Sequence, residues 1–167
     1  DVKIEFVQEN EELAALMDSG KAAVAMVPEP TATTVLAKNT SIRRALDMTA
    51  EWDKVAPAGS LVQGCVVVRK AFADAHPNEV KAFLTEYQAS IEYLTAEPDQ
   101  AGQMIEEAGI FAKAAVAAKA IPNCNVCFVS GAEMQAPLTA FLTALSTVAP
   151  QSIGGSVPGD DFYCVLK

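Results

Sequence analysis

The first thirty residues of the chain, DVKIEFVQENEELAALMDSGKAAVAMVPEP, predict a strand, a helix and a second strand in succession. Val2, Ile4 and Phe6 alternate with charged residues, which is the period of a half-buried strand. Residues 10–18 carry apolar side chains at helical spacing, and the Ser-Gly pair after them favours a helix end. Residues 22–27 form a continuous apolar run, typical of a strand buried on both faces. The pattern predicts a βαβ unit with a right-handed crossover, and so an α/β fold class.

Glu29 follows the second predicted strand and lies between two prolines. Each proline fixes its own φ and disfavours helical geometry in the residue before it, so we expect the backbone around Glu29 to be extended and stiff. In open α/β sheets, ligands bind at the carboxyl ends of strands. We therefore predict a ligand contact at Glu29, together with Pro30 and Thr31. The structural alternative is that Glu29 caps a helix or faces solvent.

Two further strands are predicted at residues 42–48 and 61–69, with helices before and after them. Pro77 and Pro98 suit the first turns of two helices, because a proline at that position has no amide donor to lose. Together these elements predict a mixed sheet flanked by helices. Gln63 and Gly64 precede the apolar run CVVVR and are candidate ligand contacts through a side-chain amide and exposed backbone, although an ordinary strand start fits equally well.

Four segments in a particular order carry a resemblance to a known family. They are ELAALMDSGK, VPEPTAT, VVVRKAFADAHPNEVKAFLTEY and EPDQAGQMI. In this order they resemble the type II solute-binding proteins of ABC importers, in particular the branch that binds nitrate, sulfonates or the pyrimidine precursor of thiamine. The resemblance covers the chain to about Gly109, and the remainder is compatible with the closing helices of that family.

The resemblance implies an incomplete two-lobed protein, because the matching segments lie in the second half of proteins roughly twice this long. It implies that residues 1–39 belong to the second lobe and residues 40–167 to the returning part of the first lobe, with the crossing between lobes near residues 39–41 or, alternatively, near the loop at residues 56–60. The expected partners are a small polar or heteroaromatic ligand, an ABC permease in the membrane and the missing N-terminal half. The expected location is extracytoplasmic, with a membrane anchor through a segment absent here. Apolar surface left by the missing half could also pair two copies.

The composition excludes some classes of partner. The formal net charge is -9 and the isoelectric point is near 4.5, which argues against nonspecific nucleic-acid binding because that requires clustered basic residues. No apolar run approaches the roughly 20 residues needed to cross a bilayer. No P-loop or dinucleotide-binding glycine motif occurs, and no cofactor is expected.

The four cysteines and the single histidine give no strong chemical motif. Cys124 and Cys127 form a lone C-x-x-C, whereas a zinc site would need a second pair or histidines. A disulfide that involves Cys65, Cys124, Cys127 or Cys164 is compatible with an extracytoplasmic protein, but a reduced, buried set is favoured slightly. The lone histidine, His76, precedes Pro77. A position like an N-cap at the start of a helix is enough to explain its presence without a catalytic role.

These observations disfavour an enzyme and favour a binding protein. Two other classes stay open on the sequence. One is the effector-sensing domain of a transcription regulator, which would carry a DNA-binding segment elsewhere. The other is an enzyme of thiamine-precursor synthesis, which would need histidine-rich chemistry that this chain lacks.

Overall fold

The protein is described by a computed structural model over residues 3–166. Within this range the regular structure is helical and no strand is present. The eight α-helices are α1 (Asn10–Asp18), α2 (Thr31–Lys38), α3 (Met48–Trp52), α4 (Lys70–Ala75), α5 (Pro77–Ala96), α6 (Pro98–Glu107), α7 (Ala114–Ala120) and α8 (Gln135–Val148). Short 3-10 helices cover Ile121–Asn123, Gly131–Met134, Pro150–Ile153 and Asp160–Phe162.

The predicted α/β fold class, with its βαβ unit and mixed sheet, is therefore wrong for the described residues. The resemblance to type II solute-binding proteins is wrong as well, because such a protein needs a sheet and none is present in residues 3–166. The segments predicted as strands at residues 22–27, 42–48 and 61–69 pair with no neighbouring strand. A strand exists only through a partner's backbone, and local sequence patterns do not supply that partner. Val2, from the first predicted strand, lies outside the described residues.

The helix boundaries follow local signals more closely. Helix α1 ends just before Ser19-Gly20, and Gly20 takes a left-handed φ of 72° that favours glycine. Proline stands at the first position of both α5 and α6, as predicted. Helix α4, which is only six residues long, was not predicted.

The chain divides into two compact units, and the first consists of residues 1–44 and 89–127. In this unit α6 packs against α7, and α2 contacts both α1 and α7. The α6–α7 contact is close because its residues are small: Gly102 and Ala118 face one another, and a Cβ atom added at Gly102 would lie 2.6 Å from the Ala114 carbonyl oxygen. Glu106 also joins the two helices, since its Oε2 accepts a hydrogen bond of 2.6 Å from the Ala114 amide.

The second unit consists of residues 45–88 and 128–167. The ring of Trp52, at the end of α3, meets Phe141 of α8 edge to face at 5.8 Å between centroids. Its Nε1 donates a 2.8 Å hydrogen bond to Ser60 Oγ, which satisfies a serine that is only 1% exposed. The buried Tyr163 shares a 2.6 Å hydrogen bond with Thr139 of α8. These contacts give Trp52 a structural role in the second unit.

The predicted boundary between two lobes at residue 39 stays a prediction. The two compact units describe contacts within this chain, and they do not test which residues belong to which lobe of a longer protein. Among residues 3–166, no helix combines the length and the hydropathy required to span a membrane.

Candidate functional site

Glu29 lies in a turn that leads directly into α2. The peptide bond between Glu29 and Pro30 is cis, and the Pro28 and Pro30 carbonyls already accept helical hydrogen bonds from Ala32 and Thr34. The expectation of an extended backbone around Glu29 is therefore wrong. Glu29 Oε2 accepts a 3.0 Å hydrogen bond from the Thr33 amide, so this carboxylate caps the first turn of α2.

The second oxygen of Glu29 is bound by an arginine. Arg44 Nη2 donates to Glu29 Oε1 in a short ion pair, and Arg44 Nη1 donates a 2.9 Å hydrogen bond to Asn123 Oδ1. The Asn123 amide in turn donates to the Lys119 carbonyl at 3.2 Å. The Glu29 side chain is 10% exposed and the Arg44 side chain 38%. The guanidinium group is therefore held from two sides while part of it faces solvent.

Cys124 completes this group of residues. Its Sγ donates a 3.3 Å hydrogen bond to the Ala120 carbonyl. Burial raises the pKa of the Cys124 thiol above its ordinary value, and the Glu29 carboxylate raises it further. A raised pKa keeps the thiol protonated near neutral pH, which is the opposite of what a cysteine nucleophile requires. We call Glu29, Thr33, Arg44, Asn123 and Cys124 the Glu29 cluster.

The chemistry of the Glu29 cluster is that of an oriented hydrogen-bond donor. A guanidinium group carries five N–H donors, and two of those on Arg44 are engaged by Glu29 and Asn123. The remaining donors can meet a carbonyl, carboxylate or ring-nitrogen acceptor. The negative charge of Glu29 offsets the charge of Arg44, so a ligand that met this pair would be held through hydrogen-bond geometry more than through net charge.

The structure places the sequence-predicted contacts in separate units. Pro30 and Thr31 adjoin Glu29 in the first unit, and Thr31 begins α2 with a half-buried side chain. Gln63 and Gly64 belong to the second unit, where both are exposed in an extended segment. Their roles as ligand contacts stay predictions.

All four cysteines are free thiols in this structure. Cys65 and Cys127 are exposed and Cys164 is half-buried, while Cys124 is exposed as a whole residue although its thiol lies in a part-buried contact with the Ala120 carbonyl. The expected burial of the set is therefore wrong. Cys124 ends a 3-10 helix, and its thiol bonds to the helix carbonyl rather than to Cys127. Among residues 3–166, no group of three or more histidine, cysteine, aspartate or glutamate side chains could hold a metal ion.

His76 follows the last residue of α4 and stands directly before Pro77, and its carbonyl accepts a 3.2 Å hydrogen bond from the Val80 amide in the first turn of α5. Its ring lies 4.8 Å from the ring of Phe72, and its Nδ1 is 3.7 Å from Glu79 Oε1. These are local contacts along adjoining helices. They give the histidine a structural role at the α4–α5 junction.

The second unit holds a cavity of about 160 Å³ near the start of α4. Its charged lining consists of Lys70, Asp74 and Asp161, and Lys70 already pairs with Asp74 at 3.5 Å. Small-molecule sites typically enclose roughly 300–1,000 Å³, so this cavity is smaller than a usual ligand site. The Glu29 cluster is the stronger candidate.

Sequence analysis missed Arg44 and Asn123 as members of the site. A general rule could have prompted a search for the arginine, because a buried carboxylate needs a cationic or hydrogen-bonding partner. Arg43 and Arg44 are neighbours in the sequence, and only the fold distinguishes them. No sequence signal linked Asn123 to the site, because Asn123 lies 79 residues from Arg44, to which it is hydrogen-bonded.

Comparisons with known proteins give one structural neighbour and no sequence relative. No protein-family model matches the chain, and no curated protein matches it. A solved structure of an ABC transporter from Parabacteroides distasonis is similar over 95% of this chain, with a TM-score of 0.79 and 23% sequence identity. The chain spans 55% of that protein. The likeness shows a shared fold, and it places an ABC transporter among the structural neighbours of this chain.

Proposed function

We propose that this chain is part of the solute-binding component of an ABC importer. It would capture a small polar or heteroaromatic molecule outside the cytoplasm and deliver it to a membrane permease. The observation that carries the proposal is the structural likeness to an ABC transporter over 95% of the chain. In this account the chain binds its ligand without catalysis and without a cofactor.

The Glu29 cluster is the proposed ligand contact within the first unit. Both Glu29 oxygens already accept hydrogen bonds, from Thr33 and from Arg44, and the side chain is only 10% exposed. Glu29 is therefore better suited to orient the arginine than to meet a ligand first. Arg44 is the more exposed partner, and its other N–H donors have no hydrogen-bond partner among residues 3–166, so we assign it the first contact.

This assignment sets the chemistry of the ligand. Arg44 donates hydrogen bonds only, so the ligand must present an acceptor, such as a carboxylate, a sulfonate oxygen or a ring nitrogen. Thr31 begins the helix that Glu29 caps, and its hydroxyl can donate or accept a hydrogen bond. Capture then requires that the ligand binds one conformation of the whole protein more tightly than another, since only differential affinity shifts such an equilibrium.

A thermal-shift titration tests the proposal on the polypeptide that the gene encodes. The panel would contain nitrate, methanesulfonate and an aminopyrimidine, each with an acceptor group, and a neutral sugar alcohol. We expect at least one of the first three to raise the melting temperature saturably. A panel in which no compound has this effect would contradict the solute-binding function.

Two arginine variants separate the function from the site. Arg44→Ala should weaken binding of the active compound about 10-fold or more, the loss expected when a charge-assisted hydrogen bond is removed. Arg43→Ala is the matched control, because Arg43 is exposed on the same segment and has no part in the Glu29 cluster. Equal binding by wild type and Arg44→Ala would leave the function standing and remove the Glu29 cluster as the site.

A further inference from the structure

The opposite charges of Glu29 and Arg44 are fixed against one another and are exposed to different extents. The Glu29 side chain is 10% exposed and the Arg44 side chain 38% exposed, and the two form a direct ion pair. The Thr33 amide also holds Glu29, and Asn123 also holds Arg44. A molecule that reaches the exposed part of Arg44 therefore meets a guanidinium group to which a fixed carboxylate is already bonded.

The Cys124 thiol shows that the charge of Glu29 acts beyond this ion pair. Burial is the larger cause of the raised pKa of Cys124, and the Glu29 carboxylate raises that pKa further. A carboxylate whose charge was fully cancelled by Arg44 would have little effect on a neighbouring thiol. The raised pKa also keeps Cys124 uncharged near neutral pH. The charge of Glu29 is therefore only partly offset within the Glu29 cluster.

An anion at Arg44 would gain little from this arrangement. The guanidinium group would attract it and the Glu29 carboxylate would repel it, and the two energies are comparable because the two groups are in direct contact. An anion also loses strong hydration when it leaves water, and only a net attraction offsets that cost. The ion pair therefore disfavours an anionic ligand.

A cation would be no better placed. Arg44 repels it and can only donate hydrogen bonds. Both Glu29 oxygens already accept hydrogen bonds, from Thr33 and from Arg44, and the Glu29 side chain is largely buried. An uncharged acceptor avoids these difficulties, because it costs less to desolvate and still receives charge-assisted hydrogen bonds from Arg44. The Glu29 cluster therefore suits an uncharged ligand.

Two other cationic residues lie near the Glu29 cluster in the sequence. Arg43 and Lys119 are exposed, and neither forms an ion pair among residues 3–166. Salt screens exposed charges over about 8 Å at physiological ionic strength, whereas buried charges are screened much less. These two residues should therefore influence the preference for a ligand less than the buried carboxylate of Glu29.

We propose that the Glu29 cluster selects an uncharged ligand that accepts hydrogen bonds, such as a heteroaromatic ring nitrogen or a carboxamide oxygen, and that Glu29 is the residue that rejects anions. This inference rests on the proposed function and narrows its ligand class, because a carboxylate or sulfonate would be opposed by the charge of Glu29. Glu29 determines specificity through its charge and its bond to Arg44, without a ligand contact of its own.

Matched pairs of compounds test the inference on the polypeptide that the gene encodes. The pairs are pyrimidine-4-carboxamide with pyrimidine-4-carboxylate, and methanesulfonamide with methanesulfonate, and titration calorimetry at pH 7.5 measures each affinity. We expect the uncharged member of a pair to bind about 10-fold or more tightly than the anion. Equal or tighter binding of the anion would overturn the inference and leave the proposed function standing. Binding by no compound, in these pairs or in the thermal-shift panel, would overturn both.

A pair of glutamine variants locates the selectivity. Glu29→Gln keeps an oxygen for the Thr33 amide but removes the charge, and it should improve binding of the anion relative to its uncharged partner about 10-fold or more. Glu107→Gln is the control, because it removes one charge from an exposed position of the same unit and should leave the ratio of affinities unchanged. Equal ratios in the two variants would overturn the role of Glu29.

An aspartate variant tests the same rule in the opposite direction and does not depend on the folding of Glu29→Gln. Asn123→Asp brings a second carboxylate to Arg44 at nearly constant size. Binding of the anion should fall further relative to binding of its uncharged partner. A ratio of affinities equal to that of wild type would overturn the inference.

Discussion

The contact between α6 and α7 differs from the exposed run Val66, Val67 and Val68, which we call the valine strip, in how closely the backbone is covered by other residues. At the helix contact, Gly102 lets two backbones approach so closely that there is no room for one more carbon atom. Around Gly64, which precedes the valine strip, a Cβ atom would meet nothing within 4 Å. The helices satisfy their own backbone hydrogen bonds and need a neighbour only for their side chains. The extended segment needs a neighbour for both, and within the described chain it has none.

The largest effect is expected from adding one carbon at the helix contact. Gly102→Ala should lower the free energy of unfolding by about 1–3 kcal/mol, because the new Cβ would lie 2.6 Å from a backbone oxygen that cannot move freely. Urea denaturation of this chain measures the difference. Gly64→Ala is the matched control and should stay within about 0.5 kcal/mol of wild type. Equal losses in the two variants would show that the helix contact is no tighter than the extended segment.

A smaller effect is expected at the polar link between α6 and α7. Glu106→Ala removes the acceptor of the Ala114 amide and should cost about 1 kcal/mol. Glu107→Ala is the control, since Glu107 is exposed at the end of the same helix. Urea denaturation that gives the same midpoint for both variants would contradict a role for Glu106 in joining the helices.

Thiol reactivity compares the two kinds of region without a change of fold. Cys65 is exposed and directly precedes the valine strip. Burial raises the pKa of the Cys124 thiol, and the Glu29 carboxylate raises it further. At pH 8 we expect iodoacetamide to modify Cys65 several-fold faster than Cys124, as followed by peptide mass spectrometry. The Cys124 rate should keep rising as the pH passes the ordinary thiol value of 9.0, because its thiolate forms only at higher pH. Faster modification of Cys124 at pH 8 would contradict its place in the Glu29 cluster.

The smallest effect is expected within the valine strip of the chain alone. Val67→Thr should change the free energy of unfolding by less than about 0.5 kcal/mol, because a side chain that is 77% exposed loses little packing. Urea denaturation again provides the measurement. A loss of about 1 kcal/mol or more would mean that the strip is covered within the chain itself.

The contrast also explains what the sequence could predict of the fold. The starts of α5 and α6 and the end of α1 follow from prolines and a glycine that act within one turn of the backbone. The strands at residues 22–27 and 61–69 were predicted from apolar runs, but a run shows only that burial would be favourable. Whether a partner strand exists is a property of distant residues, and in the described chain none is paired with them.

The candidate site was predictable to a similar extent. Glu29 was singled out by its two flanking prolines. Its backbone was predicted to be extended, but it forms a turn, and its side chain caps α2. Arg44 and Asn123 join it only through the folded arrangement of the first unit. Local sequence signals therefore identified Glu29. Its partners Arg44 and Asn123, and the greater exposure of Arg44, could be recognised only in the structure.

Hydrogen exchange of this chain alone tests most directly the claim that its helices form their own backbone hydrogen bonds while residues 63–68 have no backbone partner within the described chain. Amides within α6 and α7 should be protected, because they are bonded inside packed helices. Amides of residues 63–68 should exchange nearly as fast as in an unfolded peptide. Protection of residues 63–68 comparable to that of α6, in a dilute monomeric sample, would contradict the account, because the strip would then be paired within the chain.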